Sequence, residues 1–448
     1  MLFWKVKSEN LTVASLRYRC LLPVKYLALQ RYQSIIYSNK DEIKFHLKPK
    51  IIIFVKSFSN HDYQLAQQAK AKKIPIILDL CDNIFADGYA ETSKTKPADN
   101  FRRMVQIASM IITTGVSLKS IIEDQLTLSI PVHIIPDANE TITDFESYPQ
   151  LLERNQSLKQ KLSRIQNIIE LIKHPKKIKS YLDKFRSIEE PRDDHQNATD
   201  IISNNPLDIN QTHDNTSLML DATTEQSILK TSYSIPFNAC HLATIDQKYN
   251  LNHQEPKQII WFGTHGVQYG QKLFKLLELI PSLIEVQKSN SICLHIVCEE
   301  SAYPIYQKHF ESLPIPTKYT PWTQYNSYHA INQSHVTLIP NSLDPFDICK
   351  SPNRAILSLS LGVPVVATKT PALSKFENCL FFEDWANSIN TYLNNSDLVY
   401  QHLSQAQSII HQYHSGEAIA DSWRKTIHQM GNQSWQNSLL DRLLYKNV

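Results

Sequence analysis

Ile339-Pro-Asn-Ser-Leu-Asp-Pro-Phe-Asp-Ile-Cys-Lys350-Ser-Pro-Asn-Arg354-Ala-Ile-Leu-Ser-Leu-Ser-Leu-Gly362-Val-Pro-Val-Val-Ala-Thr368 reads as strand, loop, helix, strand. An apolar strand ends at Pro340, and a polar loop closes on Lys350-Ser-Pro-Asn-Arg354. Pro352 suits a helix start, where its missing N–H costs nothing. A short apolar helix runs to Leu361, Gly362 stops it, and Val365 to Ala367 form the next strand. The amino end of a helix favours anions. Lys350 and Arg354 add positive charge there, and Ser351 and Asn353 add hydrogen-bonding groups. The segment therefore reads as a site for a phosphate or diphosphate; solvated surface charge is the competing reading of both cations.

Outward from this segment the same alternation recurs. In the first half, strands are predicted at Leu2–Val6, Ser34–Tyr37, Ile51–Val55, Ile74–Leu80, Met110–Thr113 and Val132–Ile135, with helices at Asp62–Lys72, Asp99–Ala108 and Ser117–Gln125. A second series opens at Gln258. Its predicted strands are Ile259–Phe262, Cys293–Val297, Lys318–Thr320, Val336–Ile339, Val365–Ala367 and Cys379–Phe382. Its predicted helices are Gln271–Glu278, Tyr303–Phe310, Ser327–Gln333 and Asn353–Leu361. Short, near-continuous apolar strands between helices argue for parallel sheets covered on both faces. The fold class is α/β, with two facing Rossmann-like domains and ligands expected at the strand carboxyl ends.

The expected boundaries are 1–148 for the first domain, 149–254 for an insert, 255–415 for the second domain and 416–448 for terminal helices that can pack back on the first domain. In the insert, Leu158, Leu162, Ile165, Ile169 and Ile172 make a helical stripe within 151–173. Docking on the protein's own domains, self-association and contact with a membrane surface are all open uses of that stripe. Pro191–Thr231 is polar and poor in aromatics, and is expected to be disordered.

Composition narrows the class. The chain has 448 residues, 46 basic against 43 acidic, so nothing calls for a nucleic-acid partner. No apolar run reaches the ~18 residues of a membrane span, and the first residues read as a strand rather than a signal peptide. The seven cysteines show no CxxC pair, and the histidines show no metal-ligand spacing, which points to a reducing cytoplasm and no metal site. No G-x-S-x-G elbow, no P-loop and no G-x-G-x-x-G after the first strand is present, which disfavours a serine hydrolase, an ATPase and a dinucleotide oxidoreductase.

The helix followed by Gly362-Val-Pro-Val-Val-Ala, together with Lys-Ser-x-Asn-Arg, resembles the donor-binding region of GT-B glycosyltransferases, in particular divergent bacterial members similar to families 4 and 1. These are two-Rossmann-domain enzymes that use nucleotide-sugars. The resemblance is clear over about 256–370 and weaker over 1–145. Many retaining members carry a pair of glutamates here; this chain has Lys350 and Leu357, so that ribose contact is not carried over.

The resemblance implies a hexosyltransferase-like enzyme. It would move a sugar from a nucleotide diphosphate sugar to a glycan, lipid-linked or small-molecule acceptor. It implies no cofactor beyond the donor, no metal, and a cytoplasmic location with peripheral membrane contact as an option. A non-catalytic GT-B scaffold or nucleotide-sugar-binding protein is the alternative, and an epimerase is a further rival.

Candidate site residues follow from strand ends. Gly263, Thr264, His265, Gly266 and Gly270 form a loop between a strand and a helix, where backbone N–H groups can approach phosphate oxygens. Trp322 and Thr323 follow a strand; the tryptophan stacks on a nucleobase or fills the core. Together with Lys350, Ser351, Asn353 and Arg354 these form the expected donor site. In the first half, Asp82 and Asn83 end a strand, and Arg17, Arg19 and Lys56 are cations suited to an anionic acceptor. Asp137 ends the last strand of that half. Asp82 and Lys350 are the catalytic candidates, Asp82 toward an acceptor hydroxyl and Lys350 toward the leaving diphosphate. Cap or turn roles compete for Asp82 and Asn83.

Overall fold

The computed structural model describes residues 1–86, 97–173, 255–266 and 272–444; for 165–173 and 431–444 only the backbone course is described. Gly270 and the segment Pro191–Thr231 lie outside the described residues.

The first domain is a six-stranded, all-parallel sheet in the order β2-β1-β3-β4-β5-β6. Its strands are β1 (Leu2–Val6), β2 (Ser34–Tyr37), β3 (Ile51–Val55), β4 (Ile76–Leu80), β5 (Met110–Thr113) and β6 (Val132–Ile134). β1, β3 and β4 are buried along their whole length. That is the sheet interior expected of β-branched and aromatic runs covered on both faces. A π-helical turn, Arg17–Leu21, leads into α1 (Leu22–Leu29). Helices α2 (Asn60–Ala71), α3 (Pro97–Val105) and α4 (Val116–Gln125) follow. A capping box between Ser59 and Asp62 fixes the start of α2 two residues ahead of its predicted boundary. α5 runs without a break over Ile142–Lys173 with Pro149 inside it.

The second domain is another six-stranded parallel sheet, β12-β11-β10-β7-β8-β9. It comprises β7 (Lys257–Phe262), β8 (Ile292–Cys298), β9 (Thr317–Pro321), β10 (Val336–Ile339), β11 (Val365–Ala367) and β12 (Phe381–Phe382). Its helices are α6 (Lys272–Leu277), α7 (Ile280–Gln287), α8 (Tyr303–His309), α9 (Gln324–Gln333), α10 (Asn353–Ser360), α11 (Trp385–Asn394) and α12 (Ser396–His414). α7 and α11 lie outside the predicted helices. α10 starts directly after Pro352, and Gly362, at φ 73°, takes the left-handed conformation that ends it.

α13 (Gly416–Leu444) returns to the first domain. Its Trp423 packs edge-on against Trp4 of β1 at 4.9 Å, and its Ile419 and Ala420 join the same buried cluster. The side-chain amide of Gln30 donates to Asp421 at 2.9 Å. Among the described residues no helix is long and apolar enough to cross a membrane.

Both strand orders reverse once. The reversal lies between β1 and β3 in the first sheet and between β7 and β10 in the second. Strand connections diverge at such a point, opening a crevice at the carboxyl edge.

Candidate functional site

The sequence-predicted residues that meet in the structure lie at these two crevices. From the second domain, β7 leads into Gly263–Gly266, and β10 leads through a 3₁₀ turn, Asp347–Cys349, to Lys350 and the start of α10. From the first domain, Lys56 directly follows β3 and Asp82 follows β4. Asp82 is the joint between them. One carboxylate oxygen takes the Lys56 ammonium and the other takes the Lys350 ammonium across the domain boundary. Burial alone would raise the Asp82 pKa, but the two lysines outweigh it and hold the carboxyl well below the usual range. The Lys350 ammonium also sits 4.0 Å above the Phe346 ring.

Two further cations converge here. Arg354 donates to the Asn341 side chain and, at 3.4 Å, to the Phe262 carbonyl. Among the described residues no carboxylate lies within ion-pair distance of it, and burial lowers its pKa to about 10. Gly263 lies against this guanidinium: a Cβ there would stand 3.5 Å from Nη1. Lys272, at the start of α6, was not among the predicted site residues. Burial first, and then the charges of Lys350 and Arg354, lower its pKa to about 8, against the pull of Asp347, whose carboxylate is 3.8 Å away. Three cations of one domain thus converge; Asp82 and Asp347 pair two of them, and Arg354 has no carboxylate within ion-pair distance among the described residues, a setting that favours an anion.

His265 and Glu299 line the neighbouring strand ends. The Glu299 carboxylate accepts from the His265 backbone N–H at 3.0 Å and from the Cys298 thiol at 2.9 Å, with His265 Nδ1 at 3.3 Å. The spacing in the sequence indicates no cluster of histidine and cysteine, and the fold corrects this: His265, Cys298 and Glu299 bring their ligand atoms within 4.8 Å of one another. These are ligand types that divalent transition metals take, and the three contacts all fall on one oxygen of the Glu299 carboxylate, Oε2. Gly266 has φ 70°, a left-handed turn that favours glycine. Thr264 is exposed and Ser351 is half-buried beside Lys350.

Other predicted residues make structural contacts of their own. Arg19 is 1% exposed and cannot reach an acceptor. Its guanidinium is held by Asp79 at 3.0 Å, by Asp137 at 3.1 Å and by the Ile135 carbonyl at 2.7 Å. Arg17 is likewise buried, paired with Glu140 at 3.0 Å and donating to the Leu11 carbonyl at 2.7 Å. Asn83 is buried; it caps its own turn at the Phe85 N–H and donates to the Pro345 carbonyl of the other domain at 2.8 Å. Asn353 turns to the first domain and donates to Asp137 at 2.8 Å. Thr323 caps α9 through the Asn326 N–H at 3.0 Å, and Trp322 packs against the core cluster of Ile260, Phe262 and Val297. Buried polar groups require partners, and these residues supply them between the domains. Glu140 completes the set, receiving Arg17 and, at 2.9 Å, the amide of Gln324.

No protein-family profile and no curated protein matches this sequence. Solved structures do. Sucrose-phosphate synthase from Thermosynechococcus elongatus superposes over 97% of this chain and 100% of its own, with a TM-score of 0.55 and 10% identity. Two further structures align at a TM-score of 0.45. Trehalose 6-phosphate synthase from Burkholderia multivorans is 8% identical over 94% of this chain and 76% of its own. S. aureus TarM, in complex with fondaparinux, α-GlcNAc-glycerol and UDP, is 13% identical over 84% of this chain and 55% of its own. At such identities the likeness is one of fold. With two parallel, doubly wound sheets and a terminal helix returned to the first, this chain has the GT-B fold.

Proposed function

We propose that this chain transfers a glycosyl group from a nucleotide diphosphate sugar to an acceptor hydroxyl. The observation that carries the reading is the cluster of Lys272, Lys350 and Arg354 at the β7/β10 reversal of a GT-B fold. A diphosphate placed there meets three cations, and the half-buried setting strengthens each contact. Negative charge on the diphosphate grows as the glycosidic bond breaks. Cations fixed beforehand therefore stabilise the transition state more than the ground state. In this scheme they take the charge-neutralising role that a divalent metal fills elsewhere.

The acceptor side rests on Asp82. Held between Lys56 and Lys350, its carboxylate is a weak base in the ligand-free protein. A donor diphosphate competes with Asp82 for Lys350. Once Lys350 turns to the diphosphate, Asp82 keeps one cation instead of two and its basicity rises. The residue then orients or deprotonates the incoming hydroxyl. Arg17, Arg19 and Asn83 have no contact role in this scheme; they hold the two crevices in place.

A thermal-shift panel of UDP-, GDP-, ADP- and TDP-sugars identifies the donor, because a ligand that binds only the folded state raises apparent stability. Release of free nucleotide with an acceptor present separates an enzyme from a non-catalytic nucleotide-sugar-binding protein. If no nucleotide sugar shifts the melting curve, the proposal fails.

A further inference from the structure

We propose that a cavity at the amino-terminal edge of the first sheet is a second anion site, for a soluble oligophosphate or a similarly dense small polyanion. The cavity has a volume of 1270 Å³. Its floor is the start of β1 and β3 and the Ile74-Pro75 approach to β4. Arg31, Lys48, Lys50, Lys72 and Lys73 line it, and no aspartate or glutamate does. All five cations are exposed. Ion pairs form nearby, such as Lys44 with Glu42 at 3.8 Å, yet among the described residues none involves these five.

The backbone enforces the arrangement. Arg31, Lys48 and Lys73 have φ of 65°, 48° and 57°, a left-handed conformation that glycine or asparagine usually takes. Each ends a helical turn at the cavity rim: Arg31 beyond α1, Lys48 after Phe45–Leu47, and Lys73 beyond α2. Helix carboxyl ends favour cations, which accounts for Arg31, Lys72 and Lys73. Lys48 and Lys50 follow no α-helix and add to the same rim. None of the lining residues is an exposed large hydrophobic group, so the surface lacks the apolar anchors with which a protein enters a bilayer. The volume exceeds that of most single-ligand pockets, ~300–1,000 Å³, and leaves room for several phosphate groups.

The site is separate from the cleft. Lys50 and Lys56 bracket β3, so the two lie about 20 Å apart, six residues at ~3.3 Å each. That exceeds the screening length of ~8 Å at physiological salt, so occupancy of one leaves the other electrostatically independent.

Inorganic tripolyphosphate is the probe, titrated calorimetrically into the full chain as wild type, as Lys350→Ala and as the double variant Lys50→Glu/Lys73→Glu. Because the cleft also attracts phosphate, the cavity substitutions are made in the Lys350→Ala background as well, where cleft binding is weakened. Tripolyphosphate should still bind Lys350→Ala, and adding Lys50→Glu/Lys73→Glu in that background should weaken it about tenfold or more, from two lost charge-assisted contacts. Nucleotide-diphosphate binding to the double variant should equal the wild type, which also reports an intact fold. The proposal is overturned if Lys350→Ala abolishes tripolyphosphate binding while the double variant retains it. It is equally overturned if phosphatidylglycerol vesicles bind through these lysines and tripolyphosphate does not.

Discussion

Replacing Asp82 by asparagine should separate donor binding from transfer. In the ligand-free protein, Lys350 is occupied by Asp82. A donor must therefore break that pair before it gains Lys350, and part of its binding energy is spent there. The side chains are 30% and 13% exposed, so the pair is neither fully screened nor fully dry. A charge-assisted hydrogen bond of this type contributes about 1.5–3 kcal/mol net. Lys350→Ala removes the contact to the diphosphate, a loss on that scale, but also removes the pair that had to be broken. The measured loss should fall at the lower end, about 1.5 kcal/mol or roughly tenfold in Kd. Asp82→Asn keeps the shape and frees Lys350. Donor affinity should hold or improve by a few-fold while turnover falls, because the carboxylate that serves the acceptor is gone. The assays are calorimetric titration of nucleotide diphosphate and single-turnover sugar transfer on both variants. Weaker donor binding in Asp82→Asn would refute the competition between carboxylate and diphosphate. Wild-type turnover in that variant would remove Asp82 from the chemistry.

Other substitutions test the surrounding scaffold. Lys272 has its pKa lowered from 10.5 to about 8, so its charge costs stability in the folded protein at pH below 8, and that cost is relieved as pH rises toward 10.5. Lys272→Met should therefore raise the ligand-free melting temperature at pH 7, by an equivalent of ~1–3 kcal/mol, should lose that advantage at pH 10, and should weaken donor binding. Arg19→Met leaves Asp79 and Asp137 buried without their cation and should cost about 3–5 kcal/mol, read by urea denaturation; a neutral result would show the network to be dispensable. Gly416→Ala should destabilise the fold, because a Cβ there would stand 2.2 Å from the Tyr26 ring; an unchanged melting curve would mean that the ring moves aside freely.

Strand positions were legible because a sheet covered on both faces needs runs of apolar residues, and few other structures do. Helices were harder where the signal is a cap or a proline. α9 begins at Gln324 because Thr323 caps it, ahead of the apolar periodicity that marks the predicted start at Ser327. α7 carries Pro281 in its first turn, which reads as a breaker although it suits that position. In the site, Lys350, Arg354, Lys56 and Asp82 follow from strand ends. The burial of Arg19 does not, because its partners are 60 and 118 positions away. One local signal was present: Asp79 sits inside Ile76-Ile-Leu-Asp-Leu80, and a carboxylate in a fully buried strand demands a cation. Lys272 carries no signal of its own in the sequence: it stands two residues beyond Gly270, where the glycine-rich motif ends.

The junction between α12 and α13 has a consequence for turnover. α12 packs on the second domain, where Gln407 donates to the Leu359 carbonyl at 2.9 Å, and α13 packs on the first. The chain passes from one to the other at Ser415-Gly416, and the first domain grips that passage: Asn139 N–H donates to the His414 carbonyl at 2.6 Å, and His414 Nδ1 lies 2.9 Å from the Asp137 carbonyl. Asp137 is also the residue that Asn353 and Arg19 hold. Any rocking of one domain over the other must therefore twist the backbone at a joint clamped on both sides. In the proposed reaction, the stiffness of that joint would set how quickly the cleft can gape to discharge spent nucleotide, a step that limits the rate of many enzymes whose chemistry is fast.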